Sequence, residues 1–334
     1  MEIKTDSLKD FSSLRVGGEG QIVEVSTLEE LTEALVHAKQ RDMRVHILGE
    51  GTNTFFGDTL QNILIIKNEI KGIVLSQLQP TTYNLQAGSG EIWDDLVRFA
   101  VEKGLWGIEN LSLVPGTVGA APVQNIGAYG VELANVFVSL SALDTKTLNV
   151  VEIDGPACSF GYRDSLFKQV GNPFIIVSVT LRLSKEPRPI LTYKPLDALV
   201  GKENLTIGEV RDVVIATRKS KLPDYKEYPN TGSFFKNPVV SGAEGEALRI
   251  KYPDIPLINT DGGFKIPAAW LIEHVAHMKG VRRGEVGTWP TQPLVIVNYG
   301  DADAEEIIAF SDEITKRIKD KTGVTLEREV NYVS

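Results

Sequence analysis

The apolar positions along the chain recur at helical spacing in some segments and alternate with polar positions in others. Helical spacing predicts five helices, at residues 28–42, 91–104, 207–220, 268–277 and 303–320. Short runs rich in β-branched residues predict strands at 44–48, 62–67, 72–76, 81–88, 137–144, 149–153, 174–183, 294–298 and 324–333. This mixture of helices and strands indicates an α+β protein.

A proline-marked break at residues 184–196 divides the chain, whose 334 residues are enough for two or three domains. We predict a first domain over 1–187, a linker and loop region over 188–220, and a smaller α+β domain over 221–334. We expect the last strand, 324–333, to return to the active site.

Composition limits the class of protein. The net charge of −9 argues against nucleic acid as a partner, because phosphate backbones require a basic surface. No apolar run approaches the roughly 20 residues that span a bilayer, and the first residues have no apolar signal core. Cys158 is the single cysteine, which excludes an internal disulfide. We expect a cytoplasmic protein without membrane insertion.

Three glycine-rich motifs follow predicted strands or helices: GEGTN at 49–53, GSG at 88–90 and PGTVGAAPVQNIGAYG at 115–130. Glycine allows backbone N–H groups to approach an anion closely, so these motifs favour a phosphate-bearing ligand. The first motif is not a dinucleotide fingerprint, because Thr54 occupies the third glycine position and no helix starts there. Tight turns remain the alternative explanation for each motif.

Two further segments carry charge among apolar residues. In FGYRDSLFK, Arg163 requires a carboxylate partner, either on a ligand or in a structural pair with Asp164. In TLEREV, Glu327 and Glu329 alternate with apolar residues and share one face of the predicted strand. An exposed pair of carboxylates is the alternative for the second segment.

Ser233, in the stretch NTGSFFKNP, could be a turn residue, a helix cap, a nucleophile or a proton donor. No Gly-x-Ser-x-Gly motif surrounds it, so a hydrolase is poorly supported. His274 and His277 lie one helical turn apart, but no third ligand is near in sequence, and we predict no metal site.

Six segments together resemble the UDP-N-acetylenolpyruvoylglucosamine reductase family and follow that family's order over nearly the whole chain. They are GEGTN (49–53), PGTVGAAPVQNIGAYG (115–130), FGYRDSLFK (160–168), KLPD (221–224), GSFFKNP (232–238) and LEREV (326–330), and ILTYKPL (190–196) resembles the tyrosine-bearing loop of the longer subtype. The resemblance implies an FAD-binding domain of the vanillyl-alcohol-oxidase (PCMH) type followed by an α+β substrate-binding domain.

The resemblance also implies non-covalent FAD and NADPH as co-substrate. The expected FAD-binding residues lie in two of the glycine motifs, GEGTN (the first glycine loop) and PGTVGAAPVQNIGAYG (the second glycine loop). They are Gly49, Glu50, Gly51, Thr52, Asn53, Pro115, Gly116, Thr117, Gly119, Ala120, Ala121, Gln124 and Gly127. Flavin supplies a hydride acceptor and donor, which no amino acid side chain provides.

By the same resemblance, a UDP-sugar carrying an enolpyruvyl ether is the substrate, and its double bond is reduced as a step of peptidoglycan precursor synthesis. Ser233 is implied as the proton donor to the α-carbon, and Arg163 and Glu329 as the groups that stabilise the developing charge. The implied substrate-binding residues are Tyr162, Tyr193, Lys221 and Asn237. We expect a monomer.

The chain departs from the family's pattern at two places. Ser12 and Ser13 stand near the start where the family has other residues, and Arg328 and Asn331 flank the glutamate of the last motif. Two alternatives to the reductase are another FAD-dependent oxidoreductase of the same fold and a non-catalytic nucleotide-sugar binding protein.

Overall fold

The elements predicted from apolar spacing are present in a computed structural model that describes residues 1–334. Four of the five helices predicted from the sequence are found within a few residues of their predicted bounds, at Leu28–Gln40, Trp93–Glu102, Ile207–Lys221 and Ala304–Thr322. A further helix, at Gly242–Lys251, was not predicted. No helix of the structure combines the length and apolar character needed to cross a membrane.

The chain forms two compact units, of which the first comprises Met1–Asp6, Gly20–Glu50 and Asn62–Ser220. It contains most residues of a four-stranded sheet, in which the strands follow the order Lys4–Ser7, Glu19–Val25, Thr59–Asn68, Arg44–Leu48. A second, five-stranded antiparallel sheet has the order Val150–Asp154, Phe137–Asp144, Phe174–Ser184, Thr82–Gly88, Ile73–Gln79. The helix Trp93–Glu102 packs onto this sheet, since Trp93, Leu96, Val97 and Ala100 are buried in one cluster with Leu85 and Val179.

The helix Ile207–Lys221 also belongs to the first unit except for its last residue. Its buried residues Ile207, Val210 and Val214 pack with Trp106 and Leu196 in a separate small cluster. Leu196 is the last residue of the tyrosine-bearing loop (residues 190–196), so this cluster anchors the end of that loop in the first unit.

The second unit comprises Ser7–Glu19, Gly51–Gln61 and Lys221–Ser334. It contains three sheets. The first has four strands, in the order Asn230–Ser233, Val295–Asn298, Val286–Thr288, Arg282–Arg283, and the second has three, in the order Val239–Val240, Gly263–Lys265, Ile258–Thr260. The third is the parallel pair of Asn331–Val333 with Thr54–Phe56. The long helix Ala304–Thr322 packs on one core with Phe234, Phe235 and Leu271. Asp303 caps that helix, accepting from the backbone N–H of Glu306 at 2.8 Å.

Two predicted elements are wrong in part. The helix predicted at 268–277 is helical only at Ala268–Trp270 and continues as a π-helix over Leu271–Val275. The strand predicted at 324–333 is reduced to Asn331–Val333, with an isolated bridge between Arg328 and Phe235. Burial still alternates over 324–327, as the sequence pattern indicated, but residues 324–326 have no neighbouring strand to pair with.

Candidate active site

The two glycine loops predicted to bind FAD meet within the first unit at Gly49 and Glu50. The carboxylate of Glu50 accepts a hydrogen bond from the backbone N–H of Gly116 at 2.8 Å. A Cβ on Gly49 would overlap the hydroxyl oxygen of Thr117, so only glycine allows this approach. The side chain of Glu50 is therefore engaged with the second loop.

The backbone of the second loop is fixed by neighbouring strand and helix ends. The N–H groups of Val118 and Gly119 donate to the carbonyl oxygens of Glu91 and Ser89, both at 2.8 Å. Gly116 has a φ of 111°, and a Cβ on Gly119 would lie on the Ser89 side chain. Of the other predicted residues, Thr117 and Ala121 are buried, Gln124 is half-buried, and Pro115 and Ala120 are exposed.

The rest of the first loop, Gly51–Asn53, belongs to the second unit. Gly51 has a φ of 70°, and a Cβ there would overlap the carbonyl oxygen of Phe11. The backbone N–H groups of Gly51 and Thr52 find no acceptor in the chain although both residues are buried. Buried amide donors without acceptors are costly, so they are suited to a bound anion.

The GSG motif at 88–90 has a structural explanation instead. A Cβ on Gly88 or Gly90 would collide with the backbone of residues 69–71, so both glycines are required by the packing of the protein itself. The glycines of the GSG motif therefore do not add to the case for a ligand.

Arg163 lies in the first unit with a left-handed backbone, φ 52°. Its Nη2 donates to the carbonyl oxygen of Gly127 at 2.8 Å, and its guanidinium lies 5.7 Å from the ring centroid of Tyr162. The carboxylate of Asp164 accepts from the backbone N–H of Ser165 at 2.9 Å. Gly127, which was predicted to contact FAD, thus also accepts a hydrogen bond from the catalytic candidate Arg163.

Tyr193 is 57% exposed in the first unit, and its ring meets that of Tyr129 edge-on, with centroids 5.8 Å apart. The Tyr193 carbonyl oxygen accepts from the N–H of Leu196 at 2.8 Å. Tyr193 is therefore an exposed side chain whose base is held in place.

Ser233 ends the strand Asn230–Ser233 in the second unit, and its side chain is exposed. Gly232 before it has a φ of 69°, and no atoms lie within 4 Å of its Cβ position. Glycine is therefore favoured here by the backbone conformation and not by a close contact with the rest of the protein. Phe234 and Phe235 after it are 0% and 1% exposed and belong to the core of that unit. The phenylalanines therefore anchor the strand end that presents Ser233.

Glu329 lies beside this strand end. Its backbone N–H donates to the carbonyl oxygen of Phe234 at 2.9 Å, and the N–H of Lys236 donates to the carbonyl oxygen of Glu327 at 2.9 Å. The two carboxylates differ in environment, since Glu327 pairs with Lys236 at 2.5 Å and its side chain is 71% exposed. Two motifs more than 90 residues apart are thus joined as a short antiparallel ladder.

The first glycine loop reaches the same segment. Asn53 donates from Nδ2 to the carbonyl oxygen of Glu329 at 3.2 Å, and its own carbonyl oxygen accepts from the N–H of Asn331 at 3.0 Å. Arg328 is directed toward the long helix, where it contacts Ser311 at 3.1 Å and Asp312 at 2.6 Å. The residues that depart from the family pattern here hold the backbone on both sides of Glu329.

Ser12 and Ser13, which depart from the family pattern near the start of the chain, also make hydrogen bonds within the second unit. Ser12 Oγ donates to the carbonyl oxygen of Thr54 at 2.8 Å, and Ser13 Oγ donates to that of Asn230 at 2.6 Å. They hold the chain that follows the first glycine loop and the strand that ends at Ser233.

The remaining substrate candidates of the second unit are Lys221 and Asn237. Lys221 is exposed at the end of its helix, and its carbonyl oxygen accepts from Thr291 Oγ1 at 2.7 Å. Asn237 Oδ1 accepts from the backbone N–H of Ala268 at 2.8 Å, so this interaction fixes the amide and leaves its Nδ2 donor for a ligand.

Sequence reasoning missed a group of residues in the first unit around the tyrosine-bearing loop: Asn110, Tyr129, Arg211 and Arg218. Asn110 is 0% exposed and donates to the carbonyl oxygens of Tyr129 and Ile190 at 2.8 and 2.9 Å. No motif marks Asn110 or Arg218. The only available signal was the presence of Tyr129 within the glycine-rich segment 115–130.

Comparison with known proteins gives the class and then the family. An FAD binding domain model matches residues 20–152, and a model of the UDP-N-acetylenolpyruvoylglucosamine reductase C-terminal domain matches residues 224–333. The chain is thus a flavoprotein and an oxidoreductase, with a flavin-binding α+β domain followed by a second α+β domain, which confirms the predicted fold class.

The relatives extend over nearly the whole chain. UDP-N-acetylenolpyruvoylglucosamine reductase of Pseudomonas aeruginosa is 39% identical over 97% of this chain and 97% of its own length. The reductase of Flavobacterium johnsoniae is 38% identical over 100% of both chains. The chain belongs to the UDP-N-acetylenolpyruvoylglucosamine reductase family, as the sequence resemblance predicted.

A solved structure shows the same fold. The crystal structure of UDP-N-acetylenolpyruvylglucosamine reductase from Thermus caldophilus matches 100% of this chain and 100% of its own, with a TM-score of 0.70 at 23% identity.

The local structure fits FAD. The backbone N–H groups of Gly51 and Thr52, two buried residues, have no acceptor in the chain. Such donors suit the pyrophosphate of a dinucleotide. The assignment of the individual residues to flavin, substrate and catalysis stays a prediction.

Proposed function

We propose that the protein reduces the enolpyruvyl double bond of UDP-N-acetylenolpyruvoylglucosamine to give UDP-N-acetylmuramate, a step of peptidoglycan precursor synthesis. The names of its relatives, which align over nearly all of their own length, support the substrate and the reaction. In this proposal NADPH is the reductant, and the working form is a monomer in the cytoplasm.

Residues of both glycine loops hold FAD. Gly51 and Thr52 offer their buried N–H groups to the pyrophosphate, and the Glu50 contact with Gly116 N–H keeps the first loop against the second. When bound, FAD accepts hydride from NADPH and supplies it to the β-carbon of the enolpyruvyl group, chemistry that no side chain provides.

Arg163 and Glu329 stabilise the charge that develops on the substrate. Addition of hydride at the β-carbon places negative charge on the α-carbon and its carboxylate, so fixed cationic and protic groups lower the barrier. Two hydrogen bonds support this role: Arg163 Nη2 donates to the Gly127 carbonyl oxygen, which fixes the guanidinium, and the Glu329 N–H donates to the Phe234 carbonyl oxygen, which fixes the base of the Glu329 side chain. In this proposal the Glu329 carboxyl is the protic group that donates a hydrogen bond to the developing enolate.

Ser233 donates the proton that completes the reduction. Its Oγ–H bond breaks as the new C–H bond forms at the α-carbon, so hydride and proton together add two hydrogens across the double bond. A hydroxyl is a weak acid, but an enolate is a strong base, and transfer is feasible when the geometry is fixed. The strand end held by the buried Phe234 and Phe235 supplies that fixed geometry.

Lys221, Asn237, Tyr193 and Tyr162 bind the sugar nucleotide. Lys221 and Tyr193 are exposed, and the Asn237 amide is already oriented by Ala268. A lysine ammonium with amide and phenol donors matches the diphosphate of the substrate, despite the acidic charge of the whole protein.

The observation that carries the proposal is the ladder that places Glu329 beside Phe234, the residue that follows Ser233. The test is anaerobic: enzyme with reduced flavin is mixed with the enolpyruvyl sugar nucleotide, and flavin absorbance is followed. We expect reoxidation of the flavin and a product two mass units heavier than the substrate. UDP-N-acetylglucosamine, which has no enolpyruvyl group, is the control. Flavin that stays reduced with the enolpyruvyl compound would refute the proposal.

A further inference from the structure

Ser13 joins the first glycine loop to the strand that presents Ser233. Its backbone N–H donates to the carbonyl oxygen of Gly51 at 3.0 Å, in the part of the loop that carries the buried amides without acceptors. Its carbonyl oxygen accepts from the N–H of Asn230 at 3.0 Å, and its Oγ donates to the carbonyl oxygen of Asn230 at 2.6 Å. All of the polar groups of this buried serine therefore connect the loop with the strand.

Asn230 extends this connection to Ser233. Its Oδ1 accepts from the N–H of Gly232 at 2.8 Å, and its Nδ2 donates to the carbonyl oxygen of Tyr228 at 2.7 Å. The pairing of this strand with Val295–Asn298 shifts register between Asn230 and Ser233, and Gly232 has a φ of 69° there. Because a regular ladder is interrupted at this point, the Asn230 side chain helps to set the direction in which Ser233 leaves the strand.

The same glycine loop is connected to Glu329 on its other side. Asn53 Nδ2 donates to the carbonyl oxygen of Glu329 at 3.2 Å, and the N–H of Glu329 donates to the carbonyl oxygen of Phe234 at 2.9 Å. These hydrogen bonds and the chain segments between them close a ring that runs from Gly51 through Ser13 and the strand and returns through Asn53. A closed network of satisfied hydrogen bonds favours a single arrangement of its members.

We propose that Ser13 is a positioning residue for the reaction, which aligns the Ser233 hydroxyl with the first glycine loop through Asn230. The reduction requires a hydride and a proton at adjacent carbons of one double bond, so Ser233 and the loop that holds FAD must keep a fixed separation. The kinetic consequence rests on the proposed function, in which Ser233 is the proton donor. The order of the strand does not depend on that function.

Amide hydrogen exchange followed by mass spectrometry tests the order of the strand without substrate. In the FAD-loaded enzyme, Ser13→Ala should raise exchange in residues 230–232 about three- to tenfold, the scale of losing one hydrogen bond. The content of bound FAD should not change, because the main-chain hydrogen bond to Gly51 is kept. Ser13→Thr retains the hydroxyl and should exchange as the unaltered enzyme does.

Ser12→Ala is the matched control, because Ser12 is the neighbouring residue, is also buried, and donates from its Oγ to another main-chain carbonyl, that of Thr54. It should raise exchange near Thr54 and leave exchange in 230–232 unchanged. An equal rise in 230–232 for both alanine variants, or no rise for Ser13→Ala, would overturn the proposal. If Ser13→Ala does not fold, Ser13→Cys replaces it and is judged by the same outcomes, since a thiol is only a weak donor.

The kinetics of the two half-reactions provide a readout that a loss of stability alone would not change. Ser13→Ala should slow flavin reoxidation by saturating enolpyruvyl substrate about tenfold and increase its solvent deuterium isotope effect, because proton transfer from a misaligned hydroxyl becomes limiting. Flavin reduction by NADPH and the KM for the sugar nucleotide should not change. Ser12→Ala should behave as the unaltered enzyme in both half-reactions.

Ser233→Ala in the same assay separates this inference from the proposed function. If Ser233→Ala reoxidises slowly and Ser13→Ala reoxidises at the normal rate, the positioning role fails and the proposed proton donor stands. If both variants reoxidise at the normal rate, the proposed proton donor fails, while raised exchange in 230–232 would still show that Ser13 orders the strand.

Discussion

The backbone N–H of Glu329 donates to the carbonyl oxygen of Phe234 at 2.9 Å. This hydrogen bond fixes LEREV (326–330), the last of the motifs on which the sequence resemblance rests, beside the strand end that presents Ser233. Because Phe234 is fully buried, the position of Glu329 is set by the core of the second unit and does not depend on its own side chain. Substitution of the Glu329 side chain should therefore leave the local fold in place.

Glu329→Ala should lower turnover about 100- to 1000-fold, the usual cost of removing one group that stabilises developing charge. Glu329→Gln should recover part of the loss, because its amide can still donate a hydrogen bond. Steady-state assays at saturating NADPH measure both variants. Glu327→Gln is the control, since that side chain is 71% exposed and pairs with Lys236. Equal losses in the Glu327 and Glu329 variants would contradict the assignment of Glu329.

Lys221→Ala should raise the KM for the sugar nucleotide about 10- to 100-fold, as expected for losing a charged hydrogen bond to a diphosphate oxygen. Flavin content should not change, because the expected flavin residues lie elsewhere. Lys219→Ala, in the same helix and also exposed, is the matched control and should behave as the unaltered enzyme. An unchanged KM in Lys221→Ala would remove this residue from the substrate site.

Asp94→Asn should lower the free energy of unfolding at pH 7. Burial by itself would raise the pKa of Asp94, but the hydrogen bonds from Arg211 and the Leu113 N–H hold that pKa below its ordinary value of 3.8. A carboxylate with a lowered folded-state pKa contributes stability above its unfolded pKa and loses it as pH falls through the folded one. The loss should therefore be about 1.5–3 kcal/mol at neutral pH, as for a hydrogen bond to a charged group.

The pH dependence provides the check on Asp94. Urea unfolding of both proteins from pH 7 to pH 3 should show the difference constant above pH 3.8 and shrinking below it. Asp95→Asn is the control, because Asp95 is 53% exposed and pairs only with the exposed Arg98. A difference that stays constant across this range would mean that Asp94 stabilises by its shape and not by its charge.

Apolar periodicity predicted most of the fold because most elements bury one face. The alternation over 174–183 and the helical spacing over 303–320 each specify a buried side, and both elements occur. The segment 324–330 shows the limit: burial alternates only over 324–327, and the pairing of 327–329 with 234–236 joins parts of the chain whose proximity the sequence does not reveal. The π-helix at Leu271–Val275 has ordinary helical spacing and gave no warning of its geometry.

The candidate site was predicted from motifs, and the reasons for its residues came from the structure. Sequence pointed to Ser233 and Glu329 separately, whereas their proximity arises from backbone hydrogen bonds that any residue types could form. Arg218 could not be found, because it donates a hydrogen bond to the backbone of Leu113, about 100 residues distant in the chain. Side chains that act through another residue leave no local pattern.

The central claim, that Ser233 donates the final proton, is tested most directly by separating the two half-reactions of Ser233→Ala under anaerobic conditions. Bound FAD and the rate of flavin bleaching by NADPH should stay near those of the unaltered enzyme. Reoxidation by the enolpyruvyl substrate should slow about 100- to 10,000-fold, the range for losing a positioned proton donor. Reoxidation at the normal rate, or loss of FAD from the variant, would contradict the claim and leave Ser233 as a turn residue.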